Sequence, residues 1–230
     1  MPLRLALAVA LLIGGCSAPN QSDDAGRTGA VFSSLPADPD PEARHLLYFH
    51  GRIIEDQGLP AVSPEHGTYE YEAILARLAE GGVTVVSEVR PRGADVTVHA
   101  ERAAARIDSL RRAGVPPEHI TLLGASKGAA IASLASHLAR ASGLRVVLLA
   151  GCSSGAVAYA VENGVDLVGD VLTIRDVADT ELAGSCADVF AMSEEVGRSD
   201  EIVLDVGTGH GVLYRPLDAW VLPALAWATH

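Results

Sequence analysis

The chain has 230 residues, a formal net charge of −12 and 49% hydrophobic residues. This length suits one globular domain with its own core, and the acidic excess disfavours nucleic acid as a partner because the phosphate backbone would repel it. No cysteine and histidine residues are spaced as zinc ligands, and we expect neither a metal nor an organic cofactor.

The first 16 residues have the pattern of a bacterial lipoprotein signal peptide. An apolar run over residues 5–13 is too short to span a bilayer as a mature helix. It ends in an Ile-Gly-Gly-Cys motif that resembles a lipobox, in which the cysteine is lipidated and becomes the first residue. We therefore expect a lipid anchor at Cys16 that attaches the protein to a membrane of the bacterial cell envelope, the outer membrane or its periplasmic face. A secreted or soluble periplasmic protein is the alternative.

Residues 17–43 are rich in proline, serine, glycine and aspartate and show no sustained periodicity. This composition predicts a flexible tether. A single folded domain is then expected over residues 44–230.

Strand and helix patterns alternate through that domain. Between strands, the apolar residues of segments 69–80 and 101–113 fall on one helical face. This alternation predicts a parallel sheet flanked by helices. Six strands are predicted, over residues 46–49, 83–86, 120–123, 146–149, 171–174 and 202–206.

The third strand leads into a G-x-S-x-G motif centred on Ser126, and an alanine-rich helical pattern follows over residues 129–141. A strand, a sharp turn and a helix in this order project the serine hydroxyl at the carboxyl edge of the sheet. A serine hydroxyl becomes a nucleophile when a neighbouring base takes its proton. His210, in a glycine-rich loop after the last strand, is the candidate base.

Ser126, an aspartate after the fifth strand and His210 follow one another in an order that resembles the α/β-hydrolase superfamily. The resemblance covers residues 44–230 and implies an α/β-hydrolase fold with a mostly parallel sheet of about six strands, flanked by helices, and a minimal lid. The blocks over residues 48–52 and 87–90 resemble uncharacterised bacterial hydrolases of this superfamily, of which this chain would be a lipoprotein-type member. That narrower resemblance implies no substrate.

Two aspartates compete to orient the imidazole of His210. Superfamily members commonly place the acid a few residues beyond the strand end, which favours Asp179 and leaves Asp176 as the alternative. For the oxyanion, the expected donors are the backbone N–H groups of Lys127, directly after the nucleophile, and of Arg52, after the first strand.

A second G-x-S-x-G motif, centred on Ser153, follows the fourth strand. If Ser153 were the nucleophile, no strand would separate it from the acid, and the segment after it is a poorer helix. The strand order therefore favours Ser126.

Charged residues gather in the loops expected at the carboxyl edge. Arg52, Glu88 and Arg90 are candidates for contact with a polar or charged substrate. The alternative is a solvated rim with internal ion pairs, each contributing little. The longest irregular segment near the site, residues 53–67, is expected to wall the pocket.

Cys152 and Cys186 would lie in an oxidising compartment, so we predict a disulfide between them. Two buried free thiols are the alternative.

These patterns predict a serine hydrolase that cleaves carboxylic esters through an acyl-enzyme and takes a small or polar ester-like molecule as substrate. A peptidase, a thioesterase or a lactone hydrolase would use the same three residues. A non-catalytic, envelope-anchored binding protein is the hypothesis from a different class.

Overall fold

The computed structural model describes residues 29–230, so the predicted signal peptide and the lipidation site Cys16 lie outside the described residues. Nine strands occur in the described part: Val31–Phe32 (β1), His45–Phe49 (β2), Val62–Ser63 (β3), Gly67–Thr68 (β4), Thr84–Val86 (β5), Ile120–Ala125 (β6), Arg145–Leu149 (β7), Val168–Asp176 (β8) and Glu195–Leu204 (β9). The helices of this part are Arg52–Gln57 (α1), Tyr71–Ala79 (α2), Val96–Arg112 (α3), Lys127–Ala139 (α4), Ser154–Asn163 (α5), Ala187–Met192 (α6) and Asp218–Thr229 (α7), with 3₁₀ turns at Pro117–His119 and Gly209–Tyr214.

Seven of these strands form one sheet in the order β1-β5-β2-β6-β7-β8-β9, and every neighbouring pair is parallel. The parallel sheet flanked by helices, predicted with about six strands, is thus confirmed with seven. Strands β3 and β4 form a separate antiparallel hairpin. Because parallel strands all end at the same edge, the loops after β2, β6, β7, β8 and β9 meet there.

The central strands are buried on both faces, which explains their nearly continuous apolar sequence. In β2, Leu46 and Tyr48 belong to the core shared with α2 and α7, whereas Leu47 and Phe49 belong to the core shared with α3 and α4. Alternate side chains of a strand point to opposite faces, so a strand between two helical layers needs apolar residues at every position.

The described part of the predicted tether over residues 17–43 contains one short strand. Val31 pairs in parallel with Val85, which adds β1 to the edge of the sheet. The N–H of Gly29 also donates to the carbonyl of Ala79. A strand of two residues is too short for its periodicity to be visible in the sequence, and its stability comes from hydrogen bonds to a distant strand.

Two other segments also differ from the prediction. Strand β9 begins at Glu195, well before residue 202, and its polar side chains are tolerated because it is an edge strand whose residues are largely exposed. Residues 53–67 are less irregular than expected, since they contain most of α1 and the β3–β4 hairpin. Within residues 29–230, no helix has both the length and the apolar character that crossing a bilayer requires.

Candidate active site

Ser126 occupies the sharp turn between β6 and α4. Its backbone has φ 52° and ψ −117°, a conformation that residues with a side chain rarely adopt. The flanking glycines make this turn possible: a Cβ at Gly124 would overlap the backbone of Gly128, and a Cβ at Gly128 would overlap the carbonyl of Phe49. The turn thus directs the serine hydroxyl away from the core and toward the loops at the carboxyl edge.

Three predicted residues from separate loops meet at this turn. The Oγ of Ser126 lies 2.9 Å from Nε2 of His210, and Nδ1 of His210 lies 2.5 Å from Oδ2 of Asp179. A carboxylate only accepts hydrogen bonds, so Nδ1 carries the proton and Nε2 accepts from the serine hydroxyl. The Asp179 side chain is 3% exposed and that of His210 is 12% exposed, which shields both hydrogen bonds from water.

The alternative acid, Asp176, has different partners. Its carboxylate accepts hydrogen bonds from the backbone N–H groups of Ala178, Thr208 and Gly209 and from the Thr208 hydroxyl, at 2.7–3.1 Å. Burial by itself raises the pKa of Asp176, but these hydrogen bonds outweigh it and the net pKa is lowered. Asp176 therefore holds the loop that carries His210, while Asp179 contacts the imidazole.

The two predicted oxyanion donors each occupy the first position of a helix. Lys127 begins α4 and Arg52 begins α1, so their backbone N–H groups have no acceptor within the helix. Gly51 places the start of α1 against Ser126, since a Cβ at Gly51 would lie 3.8 Å from Cβ of Ser126. Two helix N-termini, each with a partial positive charge, thus lie beside the serine.

A buried ion cluster links these two helix N-termini. Glu55, in the first turn of α1, accepts from Nε of Arg90 at 2.8 Å and from Nζ of Lys127 at 2.5 Å. The side chains of Glu55 and Arg90 are at most 1% exposed. Lys127 also donates to the carbonyl of Ala94 at 2.6 Å. This role of Glu55 is not visible in the sequence, because its partners come from distant segments and no local pattern marks them.

His50 is buried beside this cluster and is held neutral. Its Nε2 accepts from the backbone N–H of Arg90 at 3.0 Å, so the proton lies on Nδ1, which donates to the Gly51 carbonyl at 2.8 Å. Burial, reinforced by the charge of Arg90, lowers the pKa of His50 to about 3. The ring therefore supports the loop of the proposed oxyanion donor Arg52.

The candidates for substrate contact divide into three cases. Arg90 as a substrate contact is wrong, because its side chain is buried and paired with Glu55. Glu88 pairs with Arg106 at 2.7 Å and does not line the cavity around the serine. Arg52 does line that cavity. Its side chain is largely exposed, and its Nε lies 3.6 Å from Oδ2 of Asp56.

Ser153, the centre of the second G-x-S-x-G motif, caps a helix. Its hydroxyl accepts from the backbone N–H of Ala156 at 3.3 Å at the start of α5. Its φ of −58° is ordinary, so its backbone lacks the strained turn that projects Ser126.

Cys152 and Cys186, predicted as a pair, are joined by a disulfide, with their Cα atoms 5.3 Å apart. The bond ties the loop after β7 to the residue that precedes α6. Cys152 also lines the cavity around the serine, so the disulfide forms part of its wall.

The cavity around Ser126, the candidate catalytic cavity, has a volume of about 520 Å³, within the usual range for small-molecule sites. Helix α1 and the loop of His210 both contribute residues to its wall. Within residues 29–230, no three histidine, cysteine, aspartate or glutamate side chains are grouped to hold a metal ion. The residues that line the polar and apolar parts of the cavity include Arg52, Gln57, Leu182, Leu213 and Tyr214.

No protein-family model matches the chain, and a comparison with curated proteins finds no match. Solved structures do resemble it. A hyperthermophilic esterase from the archaeon Pyrobaculum calidifontis superposes with a TM-score of 0.56 at 18% identity, over 83% of this chain and 78% of that one. Arabidopsis thaliana SOBER1 superposes with a TM-score of 0.54 at 15% identity, over 81% of this chain and 97% of that one. A lipase-esterase related protein from Clostridium acetobutylicum superposes with a TM-score of 0.52 at 13% identity, over 82% of this chain and 96% of that one.

At such identities the similarity concerns the fold alone. Together with the seven-stranded parallel sheet and the serine at a strand-to-helix turn, it shows that the chain has the α/β-hydrolase fold.

Proposed function

We propose that this protein is a serine hydrolase that cleaves carboxylic esters through an acyl-enzyme. One observation carries the proposal: a serine at a strained turn, a histidine and a buried aspartate form a continuous chain of hydrogen bonds of 2.9 and 2.5 Å. Surface serines and histidines have no need of this arrangement, whereas each part of it serves to activate a serine as a nucleophile.

In the proposed mechanism, Nε2 of His210 takes the proton of the Ser126 hydroxyl as the oxygen attacks the ester carbonyl. The carboxylate of Asp179 accepts the hydrogen bond from Nδ1–H, which orients the ring, and it stabilises the imidazolium that forms. The developing oxyanion is held by the backbone N–H groups of Lys127 and Arg52. His210 then protonates the departing alcohol, and the same base activates a water that releases the acid from Ser126.

The catalytic cavity supports a compact substrate with a polar group. Arg52, Asp56 and Gln57 line its α1 side, where they offer a cation, a carboxylate and an amide to the substrate. The same triad geometry would also serve a peptidase, a thioesterase or a lactone hydrolase, so we propose ester cleavage as the first activity to assay.

A fluorophosphonate probe tests the proposal directly, since it reacts only with an activated serine. The wild type should be labelled and should hydrolyse a short activated ester. Ser126→Ala should lose labelling and at least about 10⁴-fold in kcat, because the nucleophile is gone. Ser153→Ala, in the second motif, is the matched control and should keep both. An unlabelled wild type would instead favour the non-catalytic binding protein.

We also propose that the protein is a lipoprotein, processed at Cys16 and anchored to the cell envelope. The sequence motif alone supports this part of the proposal. In a bacterial host, radiolabelled palmitate should be incorporated into the wild type and not into Cys16→Ser, because the thiol is the site of lipid attachment. Label in both proteins, or in neither, would make it a secreted or soluble periplasmic enzyme.

A further inference from the structure

A second cavity, of about 570 Å³, lies beside the catalytic cavity, between the start of α3 and helices α4 and α5. Its wall is mostly aliphatic. Ala129 and Leu134 line it from α4, Val157 and Ala160 line it from α5, and Leu167 lines it from the loop that follows. Small side chains on both helices leave this space open, at a place where larger residues would fill a core.

Two charged residues line this second cavity in the described structure, and both are already paired. The ammonium group of Lys127 binds Glu55 and the carbonyl of Ala94. Asp95 accepts the backbone N–H of Val98 at 3.0 Å and so caps α3. A polar ligand would gain little from these groups, whereas an aliphatic chain would remove apolar surface from water.

The two cavities adjoin next to the nucleophile. Four residues line both of them, two from the start of α4 and two from the loop and first turn of α5: Lys127, Ala130, Cys152 and Ala156. A group covalently attached to Ser126 therefore lies at the junction between the two spaces.

The position of the histidine determines which part of an ester points toward the second cavity. His210, Leu182 and Leu213 line the catalytic cavity and not the second one. The departing alcohol must receive its proton from Nε2 of His210, so it leaves on the histidine side. The acyl part then extends away from His210, and the second cavity, which adjoins the catalytic cavity at Lys127 and Ala130, offers it an apolar space.

We infer that the second cavity holds the acyl chain of the substrate, and that this chain is aliphatic and of medium length. This inference rests on the proposed function. It differs from the sequence-based expectation of a small or polar acyl group.

Hydrolysis of p-nitrophenyl acetate, butyrate and octanoate tests the inference. Each methylene that enters an apolar cavity is worth about fourfold in binding, so kcat/KM of the wild type should rise by about tenfold or more from acetate to octanoate. Ala160→Phe fills the cavity and should lower the octanoate-to-acetate ratio at least about tenfold. Ala158→Phe, on the exposed side of the same helix, lines neither of these two cavities and is the matched control.

Several outcomes would overturn the inference. A wild type that prefers acetate would do so, as would equal losses on acetate and octanoate in Ala160→Phe. If Ala160→Phe instead lost kcat/KM selectively on acetate esters of longer alcohols, the cavity would be assigned to the alcohol part. If Ala160→Phe does not fold, as judged by its melting temperature, Ser133→Leu on α4 fills the same space with a smaller change and should lower the same ratio.

Direct binding separates this inference from the proposed function. In the Ser126→Ala background, octanoate titrated by calorimetry should bind more tightly than acetate, and Ala160→Phe should weaken octanoate binding at least about tenfold. If octanoate binds in this way but the wild type hydrolyses no ester, the result would support the acyl site and refute the esterase. Ester hydrolysis combined with octanoate binding that Ala160→Phe leaves unchanged would refute the acyl site alone.

Discussion

Asp176 and Asp179 lie three residues apart at the end of β8, yet their carboxylates have different partners. Asp179 contacts Nδ1 of His210, while Asp176 binds the backbone of residues 178, 208 and 209. A carboxylate that orients a catalytic imidazole affects turnover, and one that binds backbone N–H groups affects the stability of a loop.

Asp179→Asn should reduce kcat by several orders of magnitude, on the order of 10⁴-fold, because an amide favours the wrong tautomer of His210. Asp176→Asn should cost far less activity and should lower the melting temperature. Steady-state assays and thermal unfolding of both variants check this. The reverse ranking in kcat would move the acid to Asp176.

His50 makes folding sensitive to acid. An unfolded histidine has a pKa of 6.5, whereas burial and Arg90 lower the pKa of His50 to about 3 in the fold. Between these values the unfolded chain binds a proton that the folded chain does not. The contribution of His50 to the free energy of unfolding is therefore fully present above about pH 6.5 and is lost as the pH falls toward 3.

His50→Gln keeps an acceptor for the N–H of Arg90 but cannot bind the proton. We expect its free energy of unfolding, measured with urea from pH 4 to 7, to fall less steeply with acid than that of the wild type. The difference between the two slopes should correspond to the uptake of about one proton fewer per molecule on unfolding. His230→Gln, at the exposed chain end, is the control and should retain the wild-type slope. An unchanged slope in His50→Gln would contradict the neutral buried ring.

At the scale of elements, the ion pair between Glu55 and Lys127 joins α1 to α4, and the proposed oxyanion donors begin these same two helices. The spacing of two backbone N–H groups depends on how the helices are held together. The buried cluster, which includes Arg90, holds them rigidly, since breaking one contact would leave a buried charge without its partner.

Glu55→Gln should therefore lower kcat by about tenfold or more with a smaller change in KM, because misplaced donors weaken the transition state more than the bound ester. Unfolding should become easier by about 3–5 kcal/mol, since the buried Arg90 and the partly buried Lys127 lose their counter-charge. Glu88→Gln, in the more exposed pair with Arg106, should change both quantities little. A loss of stability without any loss in kcat would limit Glu55 to a structural role.

At the scale of the whole molecule, the disulfide closes a separation of 34 residues and connects the cavity wall to the segment that follows Asp179. The N–H of Gly184 also donates to the carbonyl of Gly151 across the same two segments. Constraint of the unfolded chain by a loop of this length contributes about 3–4 kcal/mol in the chain-entropy model.

A reductant should therefore lower the melting temperature and also lower activity, because the segment that positions Asp179 loses its covalent tie. Cys152→Ala/Cys186→Ala, assayed without reductant, should behave like the reduced wild type and should no longer respond to reductant. Mass spectrometry of a non-reduced digest identifies the bond. Two free thiols in protein expressed in the periplasm would contradict it.

Much of the fold and part of the site follow from local sequence signals. The six predicted strands correspond to β2 and β5 to β9. The central ones are predictable because strands buried on both faces must be apolar over several consecutive residues, whereas the exposed edge strand β9 was predicted only near its apolar end. Ser126 and His210 are predictable because glycines flank both and because the parallel sheet brings their loops to one edge.

Other features depend on contacts between segments that are far apart in the chain. The pairing of β1, the burial of Glu55 and the choice of Asp179 over Asp176 each depend on which distant backbone or side chain lies opposite. The second cavity likewise exists because small residues of α4 and α5 approach one another without filling the space. The sequence alone determined the sheet and the order of the candidate residues, since these depend on short-range periodicity and turn sterics. The partner of each charge and the shape of the cavity were decided by tertiary packing, because electrostatic pairing and volume depend on distances that no local pattern encodes.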